Sequence, residues 1–202
     1  MKYLIFDTET TGFPRRKSYD VYFPYTDSEK YDSSRLVSIA WAVYEDTVKI
    51  TSQYYVIKSN GFVIDNKSKS TEIHGITREI NEKQGVDINI VFDKLLVDLK
   101  DVKTLVAHNL AFDKHILLSE ISRQKGYLNL IYRIENCSQY CTMIVGTNTT
   151  KIPSKFHKME YKYPSLKELY LHYTGCDFDN AHNARADMEA CCLCYQYLTG
   201  IK

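Results

Sequence analysis

No apolar run in the 202 residues approaches the ~20 needed to cross a bilayer. The cluster Leu4-Ile5-Phe6 near the start is too short for a signal-peptide core. Charge of one sign is missing as well, with 26 Lys and Arg against 25 Asp and Glu. The net of +1 gives no global basic field, so a polyanionic partner has to be held by local features. Internal repeats, low-complexity tracts and linkers are absent, and 1–202 reads as one domain long enough to bury a core. A complete set of zinc ligands is lacking too. Cys137 and Cys141 with His157 are one ligand short, at a spacing that no common zinc module uses. Cys176, Cys191, Cys192 and Cys194 complete the cysteines, the last three within a helical pattern. Without a secretory signal these read as reduced thiols in an intracellular protein, cytoplasmic or nuclear, with no membrane partner.

What the chain does have is concentrated in its first dozen residues. Tyr3-Leu4-Ile5-Phe6 has the length of a buried strand, and Asp7 and Glu9 follow where the run stops. Residues i and i+2 of a strand point to the same side, so the two carboxylates project together. Two readings stand open at this point. The pair is either an acidic turn capping a strand or a hard-oxygen site for Mg²⁺ or Mn²⁺ that relieves the repulsion.

Residues 13–35 form a polar stretch with Arg15-Arg16-Lys17, Pro14 and Pro24, longer than an ordinary connection and read as an inserted loop. Residues 36–44 read as a central strand and 50–57 as a third, making an antiparallel meander with the first. Thr77 caps a short helix over 78–83. Ile88, Val91, Phe92, Leu95, Leu96 and Leu99 give a helical face, leading to a short buried strand over 104–107. Parallel pairing of that strand needs such a helix before it. His108-Asn109-Leu110-Ala111-Phe112-Asp113 opens a helix running to residue 120, with Asp113 in a first turn that favours an acid on dipole grounds alone. Residues 141–145 read as a last strand and 147–162, with Lys151, Lys155, Lys158 and Lys162, as a Lys-rich loop. A helix over 165–173 has Ser165 as N-cap and Lys167-Glu168 on its open face, and the final helix spans 183–198.

The final helix opens with Ala181-His182-Asn183-Ala184-Arg185-Ala186-Asp187. Five residues of ideal helix turn by ~500°, which leaves His182 and Asp187 ~140° apart. They cannot share a face, so His182 belongs to the entering loop and reaches back.

In order, the chain reads D-x-E at the end of strand one, D in H-N-x-x-F-D, and H-x-A-x-x-D near the end. This resembles the DEDDh family of 3′–5′ exonucleases, including its proofreading members, over nearly the whole chain, and Ile73-His74-Gly75-Ile76-Thr77 is family-like as well. The resemblance implies a ribonuclease H-like α/β fold, with a central mixed five-stranded sheet (antiparallel meander plus parallel strands) flanked by helices. It implies hydrolysis at a free 3′ end by two Mg²⁺ ions, for which Mn²⁺ can substitute. Asp7, Glu9, Asp113 and Asp187 would hold the metals, with Asp7 bridging and Glu9 and Asp187 completing one ion. His182 would be the general base, a role suited to an imidazole whose ordinary pKa is ~6.5. Thr8, Thr10, His108, Asn109 and Phe112 would line the nucleotide, Phe112 stacking in a sequence-tolerant way.

The expected partner is nucleic acid with a free 3′ end, single-stranded, and the family adds homodimers and polymerase or replication partners. DNA is slightly favoured over RNA, while no residue announces whether the site accommodates or requires a 2′-OH. An oligoribonuclease-like enzyme and a catalytically silent nucleic-acid-binding module on the same fold are the alternatives. All five catalytic positions are filled, which weighs against the second. Arg15-Arg16-Lys17 leaves the first motif directly and is read as a contact to the strand.

Overall fold

A computed structural model of the chain describes residues 1–18, 21–155, 160–179 and 181–201, so Lys158 and His157 of the Lys-rich segment lie outside the described residues. Strand β1 (Lys2–Thr10) runs longer than its apolar core and carries Asp7 and Glu9 within it. A small hairpin, β2 (Arg16–Ser18) and β3 (Val21–Tyr22), and a 3-10 turn over Ser28–Tyr31 fill the region expected to be loop. Strands β4 (Leu36–Glu45) and β5 (Val48–Val56) follow, then helices α1 (Lys69–His74), α2 (Arg78–Gln84) and α3 (Ile88–Asp98). Next come β6 (Thr104–Ala107), α4 (Leu110–Ser122), α5 (Leu128–Asn136), β7 (Ser138–Cys141) and α6 (Thr142–Thr150). Helices α7 (Leu166–Thr174) and α8 (Ala184–Thr199) end the chain.

The main sheet has five strands in the order β5-β4-β1-β6-β7. β5, β4 and β1 form the antiparallel meander, and β6 and β7 add in parallel to β1. This is the mixed ribonuclease H-like sheet that the sequence leads one to expect. Alternation along β1 divides the core into two layers. Leu4 and Phe6 pack with α3, α4 and α5, while Tyr3 and Ile5 pack with α8. β4 is buried on both faces, as a central strand requires, with Ile39, Trp41 and Val43 on one side and Ala40 and Ala42 on the other.

Two expectations need correction. The last strand is residues 138–141, not 141–145, and the apolar triplet Met143-Ile144-Val145 lies in α6. A short apolar run fits either state by pattern, and packing decides. Gly146 brings α6 so close to α7 that an added Cβ would meet Leu169 Cδ1 at 2.8 Å. The Lys-rich segment is accordingly helical up to Thr150. Glu168, on the open face expected of it, also closes a capping box with Ser165 and pairs with Lys162 Nζ at 2.5 Å.

One buried ion pair fixes α4. Arg35 Nε donates to Glu120 Oε1 at 2.6 Å and Nη2 to Oε2 at 3.1 Å, and the Leu36 amide adds a bond of 3.2 Å. Arg35 also lies over the Phe62 ring at 4.5 Å. Removing one partner of a buried pair strands the other charge. Glu120→Ala is therefore expected to destabilise the protein by about 3 kcal/mol in chemical denaturation, whereas a midpoint within error of wild type would show that water reaches Arg35 freely.

Candidate metal centre and nucleotide pocket

β6 pairs with β1 only from Tyr3 to Ile5. Beyond that, β1 has no parallel neighbour, and the chain leaves β6 through His108 and Asn109 into α4. Asn109 takes a left-handed conformation (φ 70°) to make the turn, which Asn tolerates better than most residues. The turn sets Asp113 against the open edge of β1, where its Oδ1 accepts from the Thr8 amide at 3.1 Å and the Thr8 hydroxyl at 2.7 Å. Asp113 is fully buried, so it is far more than a helix-dipole residue.

Asp7 and Glu9 share the other face of β1, the one covered by α8, and Asp187 is in the first turn of α8. Carboxylate oxygens of Asp7, Glu9 and Asp187 all lie within 4.8 Å of one another. His182 precedes the Asn183 N-cap, outside the helix, in a left-handed conformation (φ 69°). Its amide donates to Asp187 Oδ2 at 2.9 Å, and its exposed side chain lines the neighbouring pocket.

Electrostatics test whether these residues suit a cation. Burial, then the charges of Asp113, Asp187 and Glu9, raises Asp7 well above the carboxylate range. Burial followed by Asp187 and Asp113 lifts Glu9 to about 8. Asp113 is pushed up to about 7 by burial, against the Thr8 hydrogen bonds that favour its charge. Asp187 is raised by burial as well, partly offset by the His182 amide. Among the described residues no Lys or Arg forms an ion pair with any of the four. Crowded acids without a basic partner fit a hard divalent cation.

Beside this cluster opens a pocket of about 620 Å³. Thr8, Glu9 and Thr10 lie on one side of it, Ser68, Lys69 and Ser70 at the start of α1 on another, and His182 at the cluster. Phe13 and Phe112 meet edge to face at its wall, ring centroids 5.9 Å apart. Phe13 and the Ser68-Lys69-Ser70 start of α1 are not among the residues expected at the site. His74 also lines the pocket, while its Nδ1 accepts from the Ile76 amide at 3.0 Å. Its place in the His74-Gly75 helix end, with Gly75 left-handed at φ 72°, was the available signal.

Two expected nucleotide residues lie elsewhere. His108 has both ring nitrogens engaged, by the Thr142 hydroxyl and the Pro164 carbonyl, each at 3.0 Å. Burial lowers its pKa to about 4. It ties β6 to the α6 and α7 segments and has no ring nitrogen left for a nucleotide. Asn109 faces a second pocket, on the other side of the α4 start.

No family model matches the chain, and no curated protein matches it. Solved structures do. Escherichia coli Exonuclease I in complex with a dT13 oligonucleotide superposes with a TM-score of 0.68 over 99% of this chain at 14% identity. A moderately thermophilic Exonuclease I from Methylocaldum szegediense gives 0.67 over 98% at 17% identity. The zinc ion bound form of the E. coli enzyme with single-stranded DNA gives 0.66 at 15% identity. The chain spans 41% of the first of these structures and 40% of the other two. At such identities the likeness shows a shared fold.

The raised carboxylates set a sign for stability. Without metal, the folded state holds protons that the unfolded state has lost between the ordinary carboxylate range, ~4, and the raised values. Stability of the EDTA-treated protein is thus expected to fall as pH rises from ~5 through about 7 and 8, the values for Asp113 and Glu9. Added Mg²⁺ should raise the melting temperature more at the upper end of that window. A melting temperature flat across it, with and without metal, would show that the four acids do not share one field.

Proposed function

We propose that this protein is a metal-dependent 3′–5′ exonuclease that releases 5′-mononucleotides from single-stranded ends, DNA favoured over RNA. The observation that carries the reading is the convergence of Asp7, Glu9 and Asp187 oxygens within 4.8 Å, at the edge of an open pocket of about 620 Å³ with an aromatic wall. Asp113, hung on Thr8, supplies the fourth acid.

Two Mg²⁺ ions, or Mn²⁺ in their place, would supply Lewis acidity that activates water and stabilises the leaving 3′ oxygen. Glu9 and Asp187 would hold one ion and Asp113 would support the second. Asp7, on whose charge the other three acids all bear, would help to hold both ions. His182 would take the proton from the attacking water. Its position on a turn anchored to Asp187 leaves the imidazole at the pocket and exposed. Phe112 and Phe13 would stack a terminal base without reading its identity. Thr8 and Thr10 would lie beside the terminal nucleotide.

DNA is favoured because neighbours on the same fold carry dT13 and dA16 oligonucleotides. The test is degradation of matched 5′-labelled single-stranded DNA, duplex DNA and RNA, with Mg²⁺ and then with EDTA. Asp7→Asn is expected to lower turnover by orders of magnitude with the fold intact, because it removes charge but little volume. His182→Ala should lower the single-turnover rate more than it weakens binding. Full activity of the Asp7 variant would overturn the metal assignment, and equal attack on circular single strands would make the enzyme an endonuclease.

A further inference from the structure

Ser38 of β4 is fully buried, and its hydroxyl has no hydrogen-bond partner among the described residues. Leaving a buried hydroxyl without a partner costs free energy, so this one points to an acceptor that the chain supplies in another state. The register of the sheet says which. Glu9 pairs with Ser38 across β1 and β4, the last regular pair before the bulge at Glu9 and Thr10. Directly opposed residues of an antiparallel pair share a face, with Cβ atoms ~4.5–5.5 Å apart. Ser38 therefore stands beside Glu9 on the face covered by α8, as Ala40 stands beside Asp7.

The four acids differ in the donors that the protein gives them. Asp113 receives the Thr8 amide and hydroxyl, and Asp187 receives the His182 amide. Asp7 and Glu9 accept no hydrogen bond from a described residue. Asp7 has Ala40 opposite it, which carries no side-chain donor. Glu9 has a hydroxyl opposite it, and that hydroxyl lacks an acceptor. Tyr54, opposite Ala40 on β5, belongs to the same face and lies under Arg185, whose Cζ is 5.2 Å from the ring centroid. Burial raises the Tyr54 phenol, the Ser38 hydroxyl lowers it, Glu9 raises it and Arg185 lowers it. The Ser38 and Tyr54 hydroxyls thus feel each other, yet they do not meet in hydrogen-bond geometry.

We infer that Ser38 is a positioning residue of the metal centre, whose hydroxyl donates to the Glu9 carboxylate when that acid holds a divalent cation. With the metal-dependent reading as its basis, this role adds a donor behind one ligand, as Thr8 stands behind Asp113. Carboxylates that hold metals are themselves hydrogen-bonded, and loss of such a donor weakens metal binding. Glu9 has a long side chain on a strand end, so a fixed donor selects the rotamer that aims it at Asp187. Ser38 touches neither the ion nor the substrate, and its effect passes through Glu9 alone.

The test measures two quantities on the full-length protein: Mn²⁺ affinity, from the electron paramagnetic resonance signal of the free ion, and melting temperature in EDTA. Ser38→Ala is expected to weaken Mn²⁺ binding about tenfold. The same variant should melt in EDTA at or above the wild-type temperature, because it removes a buried hydroxyl that has no partner there. A merely structural hydroxyl would not move the two readouts apart. Ser119→Ala is the control, since Ser119 of α4 is a second buried hydroxyl without a partner, and it should keep wild-type Mn²⁺ affinity. Tyr54→Phe keeps the ring under Arg185 and should bind Mn²⁺ as wild type does. Unchanged affinity in Ser38→Ala would overturn the inference, as would a loss accompanied by a lower melting temperature in EDTA. An equal loss in Tyr54→Phe would overturn it too, by assigning the hydroxyl to Tyr54. A wild type that binds no Mn²⁺ removes the metal reading and this role with it, whereas tight binding by wild type and Ser38→Ala alike removes this role alone.

Discussion

Four carboxylates occupy one end of β1 without a described Lys or Arg in an ion pair with them, and the surrounding structure is shaped by that crowding. Buried like charges repel strongly, so such a cluster persists only if protonated or bridged by cations. The rest of the fold works to hold it. β1 outruns β6 and leaves an open edge for Asp113, α8 begins where its first turn can present Asp187, and His182 is bent into a left-handed turn that lends its amide to that acid. Each device has a small local penalty, and together they place acids from three elements at one point.

The two faces of β1 share the task. Asp7 and Glu9 look toward α8, while Thr8 between them looks toward α4 and carries Asp113. A strand period of two makes this division automatic. The Asp-Thr-Glu tripeptide thus addresses both layers of the fold at once. A one-residue slip of register would turn both acids into the α4 layer and Thr8 toward α8, so β4 pairing residue for residue from Lys2 to Glu9 is a condition of the site.

The sheet and most helices were legible because the apolar periodicity is strong. The strand at 104–107 was read to the residue, and the Thr77 and Ser165 caps act as their side-chain chemistry suggests. The position of His182 outside α8 followed from helical geometry alone. What escaped reading depends on distant partners. Met143-Ile144-Val145 became helix because Gly146 lets α6 close on Leu169. The 13–35 stretch lacks periodicity, and its order comes from α4, through Tyr22 on His115 and Arg123 bonded to the Ser28 carbonyl and Asp32. His108 looked like a substrate contact by its neighbours in sequence, yet its partners lie 34 and 56 residues away. Phe13 gave no signal as a lone aromatic, since its meaning lies in meeting Phe112.

The inserted segment can vary without disturbing the four acids. Its two ends are stapled together beside the end of β1. The Thr11 amide donates to the Arg35 carbonyl at 2.9 Å, the Arg35 amide returns a bond to the Thr11 hydroxyl at 2.9 Å, and the Ser34 hydroxyl bonds the Gly12 carbonyl at 2.6 Å. Gly12 is required by that closeness, since a Cβ there would stand 2.9 Å from the Ser33 carbonyl oxygen. A loop whose ends already meet adds little closure entropy as it lengthens, about 0.6 kcal/mol per doubling. Residues between the staples can therefore change in length and charge without shifting Asp7 or Glu9. The staple reaches further, because Arg35 also holds Glu120 of α4. The arginine that closes the insertion thus seats the helix carrying Asp113, and the β2–β3 hairpin is built on the same frame as the four acids.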